Sequence, residues 1–303
     1  MVDPVPAPKP EALSSAARVL RRAKYYALIN AFICGVAFAS HALVKTSLYL
    51  HAQDSSSFWA TMVAVYATGV LRVLAMIKWF EWIGTKKRKI FGDKRSQLTR
   101  QQRRAIYLRI LWLIVPSECV SFYAASQLVS DSNEITEGVH GMLELATFIP
   151  KSLVFEIIFD LFHYAAHWLC HQIPWLYRHV HKRHHLHLHP CPLSTYEQDA
   201  VDLCLTNVLP FVLAARLGFP LSRWQLQLML AYKTYVEVAG HCGLEVKGFS
   251  FPQFPWIHDM FTPLSLCVRD HDLHHTHPKY NFAKRFALWD KLFGTFKPGS
   301  SRQ

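Results

Sequence analysis

Twenty consecutive residues, Tyr25 to Val44, carry no formal charge. At 1.5 Å of rise per residue, a helix of that length matches the roughly 30 Å hydrocarbon core of a bilayer. The run is preceded by Arg18, Arg21, Arg22 and Lys24, and no small-residue cleavage site is evident. It therefore reads as an uncleaved membrane anchor rather than a signal peptide. Ahead of it, residues 1 to 17 are rich in Pro, Ala and Ser, and a disordered N-terminus is expected over 1–23.

Three further spans are expected: Phe58 to Ile77 with Arg72 inside it, Ile106 to Val129 with Arg109 and Glu118, and Leu143 to Trp168. A charge within a span is costly unless it snorkels, pairs or faces protein. Charged residues make up 18% of the chain, below the usual quarter of soluble domains, which favours a membrane protein. The net charge of +12 raises nucleic acid or an anionic membrane surface as a partner, and its distribution decides between them. Lys86, Lys87, Arg88, Lys89, Lys94, Arg95, Arg100, Arg103 and Arg104 crowd one loop against the single acid Asp93, between two apolar stretches. The intervening loops carry only acids: Asp54 in one, and Asp131, Glu134 and Glu137 in the other. By the positive-inside rule the N-terminus and the 84–104 loop are cytosolic, and four crossings return the chain to the cytosol near Leu169. A bilayer, not nucleic acid, is the expected partner.

Two later apolar stretches are broken or short. Leu203 to Leu217 contains Pro210 and Arg216, and a second runs from Leu226 to Gly240; buried or interfacial helices are expected for both. Seven scattered cysteines form no CxxC pair and leave an odd number, which suggests neither a zinc ribbon nor a disulfide framework.

Of 18 histidines, 15 lie from His163 onward. His163 and His167 are four residues apart and share one helix face. His181, His184 and His185 repeat at i, i+3 and i+4, and His271, His274 and His275 repeat that spacing some ninety residues later. One such pair on an apolar helix is more often two satisfied core histidines. Three boxes in series are not, and eight histidines so arranged can surround a pair of metal ions. The pattern lacks the cysteines of structural zinc and the HExxH of zinc proteases. Imidazole serves iron, copper, nickel and zinc alike, so spacing alone does not select the metal.

The series HxxxH, HxxHH, HxxHH, followed by Tyr280-Asn281-Phe282 and by Trp289-Asp290-Lys291-Leu292-Phe293-Gly294-Thr295, resembles the fatty acid hydroxylase superfamily, which includes sterol desaturases and sterol C-4 methyl oxidases. The resemblance covers Leu153 to Phe296. It implies an all-α fold: an integral membrane bundle of about four transmembrane helices with a cytosolic helical cap holding a histidine-rich di-iron site. The implied organisation is a transmembrane region over 24–152, a di-iron domain over 153–296 and a tail over 297–303. The implied activity is dioxygen-dependent hydroxylation or desaturation of a sterol, fatty acyl or sphingoid lipid, or of a hydrophobic terpenoid or polyketide. The implied electron supply is cytochrome b5 and an NAD(P)H reductase, and the implied location is the endoplasmic reticulum membrane, with the boxes facing the cytosol. Carried over by position, the metal ligands are His163, His167, His181, His184, His185, His271, His274 and His275, with His241 matching an isolated histidine between the second and third boxes.

In one place the sequence departs from the pattern. Where the family commonly has His-Pro-x-Glu, this chain reads Asp199-Ala200-Val201-Asp202, so Asp199 stands in a ligand histidine's place. Either it ligates, or His187 or His189 fills the position, or the position is empty. His171, His179, His187 and His189 read mainly as supporting or solvated residues. Asp160, one turn before His163, is a candidate to orient a ligand imidazole. Glu156 precedes it by another turn, and His258 is a candidate for the site entrance. Asp290 and Gly294 read as turn-forming. Two other readings stay open: a histidine-rich metal transporter, which needs ligands midway through its spans, and a noncatalytic relative disabled at Asp199.

Overall fold

The computed structural model describes residues 15–50, 57–92, 95, 97–128, 139–246, 250–254 and 256–299. The 1–14 segment, Asp54, Asp93, Lys94, the acidic loop from Asp131 to Glu137 and most of the 297–303 tail lie outside them. The main helices are α1 (Ser15–Leu50), α2 (Ser57–Gly84), α3 (Arg100–Ser126), α4 (Val139–Gln172), α5 (Ala200–Leu217), α6 (Arg223–His241), α7 (Val268–Thr276) and α8 (Leu288–Leu292). The fold is all-α, as expected. Helix α1 begins at Ser15, so 15–23, expected to be disordered, are helical where described.

Four helices are long and apolar enough to cross a membrane by length and composition: 16–50, 58–84, 100–126 and 200–217. Three coincide with expected spans; the fourth does not. The expected span from Leu143 to Trp168 belongs to α4, whose Glu156, Asp160, His163 and His167 are buried and turned toward protein. The stretch after Leu203, expected to be buried or interfacial, qualifies instead because α5 begins upstream at Ala200. The outer faces of these helices expose Phe38, Trp59, Leu71, Trp112 and Val120, the surface a lipid environment requires.

Helix α6 is the central pillar. A capping box starts it, Ser222 Oγ accepting from Gln225 N while Gln225 Oε1 accepts from Ser222 N, each at 3.2 Å. Every residue from Trp224 to His241 is buried. Helices α1, α2, α3 and α4 pack around it, so its polar stripe Lys233, Glu237 and His241, at i, i+4 and i+8, meets only other protein groups.

Two helices widen at a proline. In α3 a π-helical turn, Ile110–Ile114, precedes Pro116; in α5 another, Cys204–Val208, precedes Pro210. A proline ring clashes with the carbonyl four residues back and donates no N–H, and a widened turn relieves both. The carbonyls so released find other donors: Tyr66 Oη donates to Leu111 O at 2.9 Å, and His163 Nδ1 donates to Thr206 O at 2.7 Å.

Charges inside the bundle are paired. Arg72 meets Glu118 at 2.7 Å, Arg285 meets Glu156 at 2.7 Å and Glu237 at 3.3 Å, and Lys284 donates to Glu237. Arg95 is buried apart from its basic neighbours. It donates to Ile90 O, Pro190 O and Asp272 Oδ1, tying the basic loop to the histidine-bearing part. Its guanidinium passes over Gly243, where an added Cβ would lie 1.8 Å from Cζ, and Gly243 has φ +64°. Glycine is needed there on both counts.

Candidate metal centre

The histidines come from four places: the C-terminal part of α4, the irregular segment 177–186, the last residue of α6, and α7. They form two groups. His167, His171, His181, His185 and His274 bring one nitrogen each to within 4.8 Å of one another; His184, His241, His271 and His275 do the same. The groups adjoin, with ring centroids 5.0 Å apart for His185 and His275 and 5.6 Å for His184 and His185. The sequence separations of the boxes thus collapse into one buried volume.

Hydrogen bonds set the tautomers. Nδ1 donates to Phe282 O from His167, to Tyr280 O from His274, to Glu237 O from His241 and to Asp202 Oδ1 from His181, all at 2.7–2.8 Å. A carbonyl or carboxylate partner requires the proton on Nδ1, so each Nε2 presents a bare lone pair inward. Several ring nitrogens lack partners. Nε2 of His167, His171 and His274 and both ring nitrogens of His275 have no hydrogen-bond partner. His241 Nε2 lies 2.9 Å from His271 Nε2, and His181 Nε2 lies 3.1 Å from His185 Nε2. Buried ring nitrogens crowded together with so few donors among them are what a shared cation would satisfy, so the donor set fits two metal ions.

Burial and, for most, the neighbouring rings favour the neutral form of eight of the grouped imidazoles: His167, His171, His184, His185, His241, His271, His274 and His275. They hold His184, His271, His274 and His275 well below the usual histidine range. His185 is pushed down to about 3 and His171 to about 2. His241 is pushed down to about 4 by burial and by Lys284. Neutral imidazole is the form that ligates a metal.

His163 stands outside both groups, its Nδ1 committed to Thr206 O and its ring 5.3 Å from that of His167. His171, expected to be supporting, is inside the first. Asp199 belongs to neither group, paired with Arg183 at 2.8 Å and 3.8 Å from Arg109. The vacancy it suggested is not taken by His187 or His189, which are in neither group; His189 donates instead to Asp272 Oδ2 at 2.9 Å. Asp160 orients no imidazole: it accepts from the backbone N–H groups of Lys284, Arg285 and Phe286 at 2.7–3.0 Å. The side chain of His258 lies outside the described residues.

Sequence reasoning missed Asp202, fully buried against His181. It also missed what the C-terminal motif does. Asp290 accepts from Phe282 N, Ala283 N and Thr295 Oγ1, and Asn281 Nδ2 donates to Asp270 O and Lys297 O. These bonds hold the irregular segment 280–283, whose Tyr280 and Phe282 carbonyls aim His274 and His167. Gly294, with φ +73°, makes the turn.

Residues 152–295 match the fatty acid hydroxylase family. Similar curated proteins include fatty acid hydroxylase vlmA of Lecanicillium sp, 33% identical over 47% of this chain and 40% of that protein. Human cholesterol 25-hydroxylase is 30% identical over 53% of this chain and 56% of its own length. Sphinganine C4-monooxygenase 1 of Arabidopsis thaliana is 29% identical over 48% of this chain and 53% of its own. The chain thus matches about half the length of these relatives, and no solved structure matches it. The shared segment holds every clustered histidine, and with the family match it places this chain in the fatty acid hydroxylase and sterol desaturase superfamily.

Proposed function

We propose that this chain is a membrane di-iron oxidoreductase that uses dioxygen to hydroxylate, or to desaturate, a lipid-like substrate. The observation that carries the reading is the pair of adjoining buried histidine groups whose crowded ring nitrogens have so few donors among them. His167, His171, His181, His185 and His274 would hold one ion, and His184, His241, His271 and His275 the other. Bound iron supplies the oxidising power that cleavage of an unactivated C–H bond needs and no side-chain acid or base has.

The protein's own residues do the rest. Asp202 and the carbonyls of Glu237, Tyr280 and Phe282 keep the ligand protons on Nδ1 and the rings in place. Tight packing around the groups excludes bulk water. The named relatives act on a fatty acid, cholesterol or sphinganine, which supports a lipid substrate and favours hydroxylation. A cleft of about 1140 Å³ beside the site is lined by Lys87, Arg88, Lys89, Arg95, Arg103 and Arg269 against Glu81. That excess of positive charge supports docking of an acidic cytochrome b5-type electron donor fed by an NAD(P)H reductase. It also supports a cytosolic orientation of the site in a membrane such as the endoplasmic reticulum.

A transporter needs ligands within its spans, yet none of the nine grouped histidines lies on the four apolar helices. The noncatalytic reading draws no support from Asp199, which pairs with Arg183 and belongs to neither histidine group. The test is expression of the whole chain in a microsomal host, with elemental analysis of the purified protein and untargeted lipid profiling. Two iron ions per chain and an oxygenated product that disappears in the His271→Ala, His274→Ala double variant are expected. A product that persists in that variant, or a protein that binds no metal, refutes the proposal.

A further inference from the structure

Beside the histidine groups lies a small polar cavity within an otherwise apolar part of the bundle. Its volume is about 20 Å³, enough for one water-sized group, which needs roughly 10–15 Å³. It sits where the two proline-widened turns approach each other, with Ile114 on one side and Asn207 and Val208 on the other. Such turns recur at functional sites because they turn helix backbone and side chains out of register.

Two of its walls are unsatisfied. Tyr196 Oη and Asn207 Oδ1 are buried without a hydrogen-bond partner, in residues 5% and 4% exposed. The orientation of the Asn207 amide follows from its nitrogen, which donates to Thr206 Oγ1 at 3.1 Å and leaves Oδ1 as the open acceptor. On a third wall Lys233 Nζ stands 3.8 Å from both Glu118 and Glu237, beyond a hydrogen bond to either. Leaving buried polar groups unpaired costs stability unless something occupies the space.

The cavity is also tied to the centre. Gln198, which lines it, has Nε2 3.5 Å from His184 Nδ1, and Glu237, which lines it with its carboxylate, accepts from His241 Nδ1 through its carbonyl at 2.8 Å. Whatever oxygen sits in the cavity is therefore one residue away from the group formed by His184, His241, His271 and His275.

We infer that this cavity receives a neutral hydroxyl group of the lipid substrate, with Tyr196 donating to its oxygen, Asn207 accepting its proton and Lys233 in reach as a second donor. This deepens, and rests on, the oxidoreductase reading. The donor–acceptor pairing selects the class. A hydroxyl both accepts and donates, whereas a carbonyl leaves Asn207 Oδ1 open. A carboxylate has no proton for Asn207 Oδ1 and would set its oxygens against that acceptor, while the nearby cations Arg72, Lys284 and Arg285 are already engaged by Glu118 and Glu237. The substrate is thus an alcohol already in hand, oxidised at a carbon that the anchored hydroxyl holds in register with the metal centre. A reaction that installs or exposes a hydroxyl on an apolar skeleton must supply it.

The test uses the full chain, iron-loaded, in nanodiscs. Probes are matched pairs with and without the hydroxyl, 1-hexadecanol with hexadecane and cholestan-3-ol with cholestane, and binding is measured by competition. In at least one pair the alcohol binds at least tenfold more tightly, the scale of a buried donor and acceptor left unpaired by the analogue. Because members of a pair partition differently into the bilayer, the variants carry the assignment. Tyr196→Phe and Asn207→Leu each lower the preference at least fivefold and leave binding of the hydrocarbon unchanged. Tyr196→Phe melts no lower than the parent, since the hydroxyl it removes has no partner. Equal binding within both pairs, no binding of either member, or an unchanged preference in both variants overturns the inference and leaves a buried-water site only. Elemental analysis of the same samples keeps the two readings apart: a metal-free protein that prefers alcohols sinks the oxidoreductase reading alone, and an iron-loaded one without preference sinks this inference alone.

Discussion

Replacing Asp202 by Asn tests whether the centre consists of two separable metal sites. Asp202 is fully buried, and its Oδ1 accepts the Nδ1 proton of His181 at 2.8 Å. Asparagine keeps the shape and removes the charge. A hydrogen bond to a charged group contributes roughly 1.5–3 kcal/mol. Independently, loss of the partner that orients a ligand histidine weakens metal binding by about 10–100-fold, or roughly 1.4–2.7 kcal/mol. The two magnitudes agree because the same bond sets both. Asp202 contacts the group containing His181, and none of His184, His241, His271 or His275 bonds to it. Titrating the loaded variant with a chelator, and following metal per chain by elemental analysis, should therefore release one ion at 10–100-fold lower chelator concentration and the second at the parent concentration. Parallel release of both, or retention of both, refutes the partition into two groups and the orienting role of Asp202.

Other outcomes follow from the same geometry. His171→Ala should lose the ion of the first group, whereas His163→Ala should retain both; elemental analysis of the two variants side by side reverses the assignment if the losses are exchanged. Gly243→Ala places a methyl 1.8 Å from Arg95 Cζ on a backbone with φ +64°, and should lower stability by about 1–3 kcal/mol, read as a fall in melting temperature. The chelated protein should lose stability as pH falls. Burial and the neighbouring rings hold His185 at about 3 and His171 at about 2, and burial with Lys284 holds His241 at about 4; an unfolded histidine binds a proton near 6.5. The unfolded chain thus takes up more protons below that value, so stability present above about pH 6.5 declines through pH 5, by up to roughly 1.4 kcal/mol per pH unit for each histidine. A melting temperature flat between pH 7 and pH 5 contradicts this.

The parts of this molecule that were legible in sequence are those governed by local periodicity. Spans α1, α2 and α3 follow from apolar runs of membrane length, the first of them uncharged, and the second and third histidine boxes enter the groups with the residues their spacing picks out. What was illegible depends on partners distant in sequence. Helix α4 reads as a span until Glu156 and Asp160 are seen to face Arg285 and the backbone of 284–286. Arg95 reads as one of nine loop cations until Asp272, distant in the chain, is found against it at 2.7 Å.

The register of the first box is the sharpest case. His163, His167 and His171 stand at i, i+4 and i+8 on α4, so the stripe contains two overlapping HxxxH pairs, and helical spacing favours neither. What separates them is the wall each ring meets. Pro210 denies Thr206 its helical donor, and the freed carbonyl takes His163 Nδ1; one turn on, His167 donates to Phe282 O and turns Nε2 inward; a further turn brings His171 within 4.8 Å of the remaining ligand nitrogens. The Thr206 carbonyl thus fixes the ring of His163 at a place outside both groups, while the next two histidines of the stripe fall inside the first. The same logic disposes of the missing His-Pro-x-Glu. Asp199 is an outward ion-pairing residue, and the carboxylate the centre uses is Asp202, which stands at the glutamate's position.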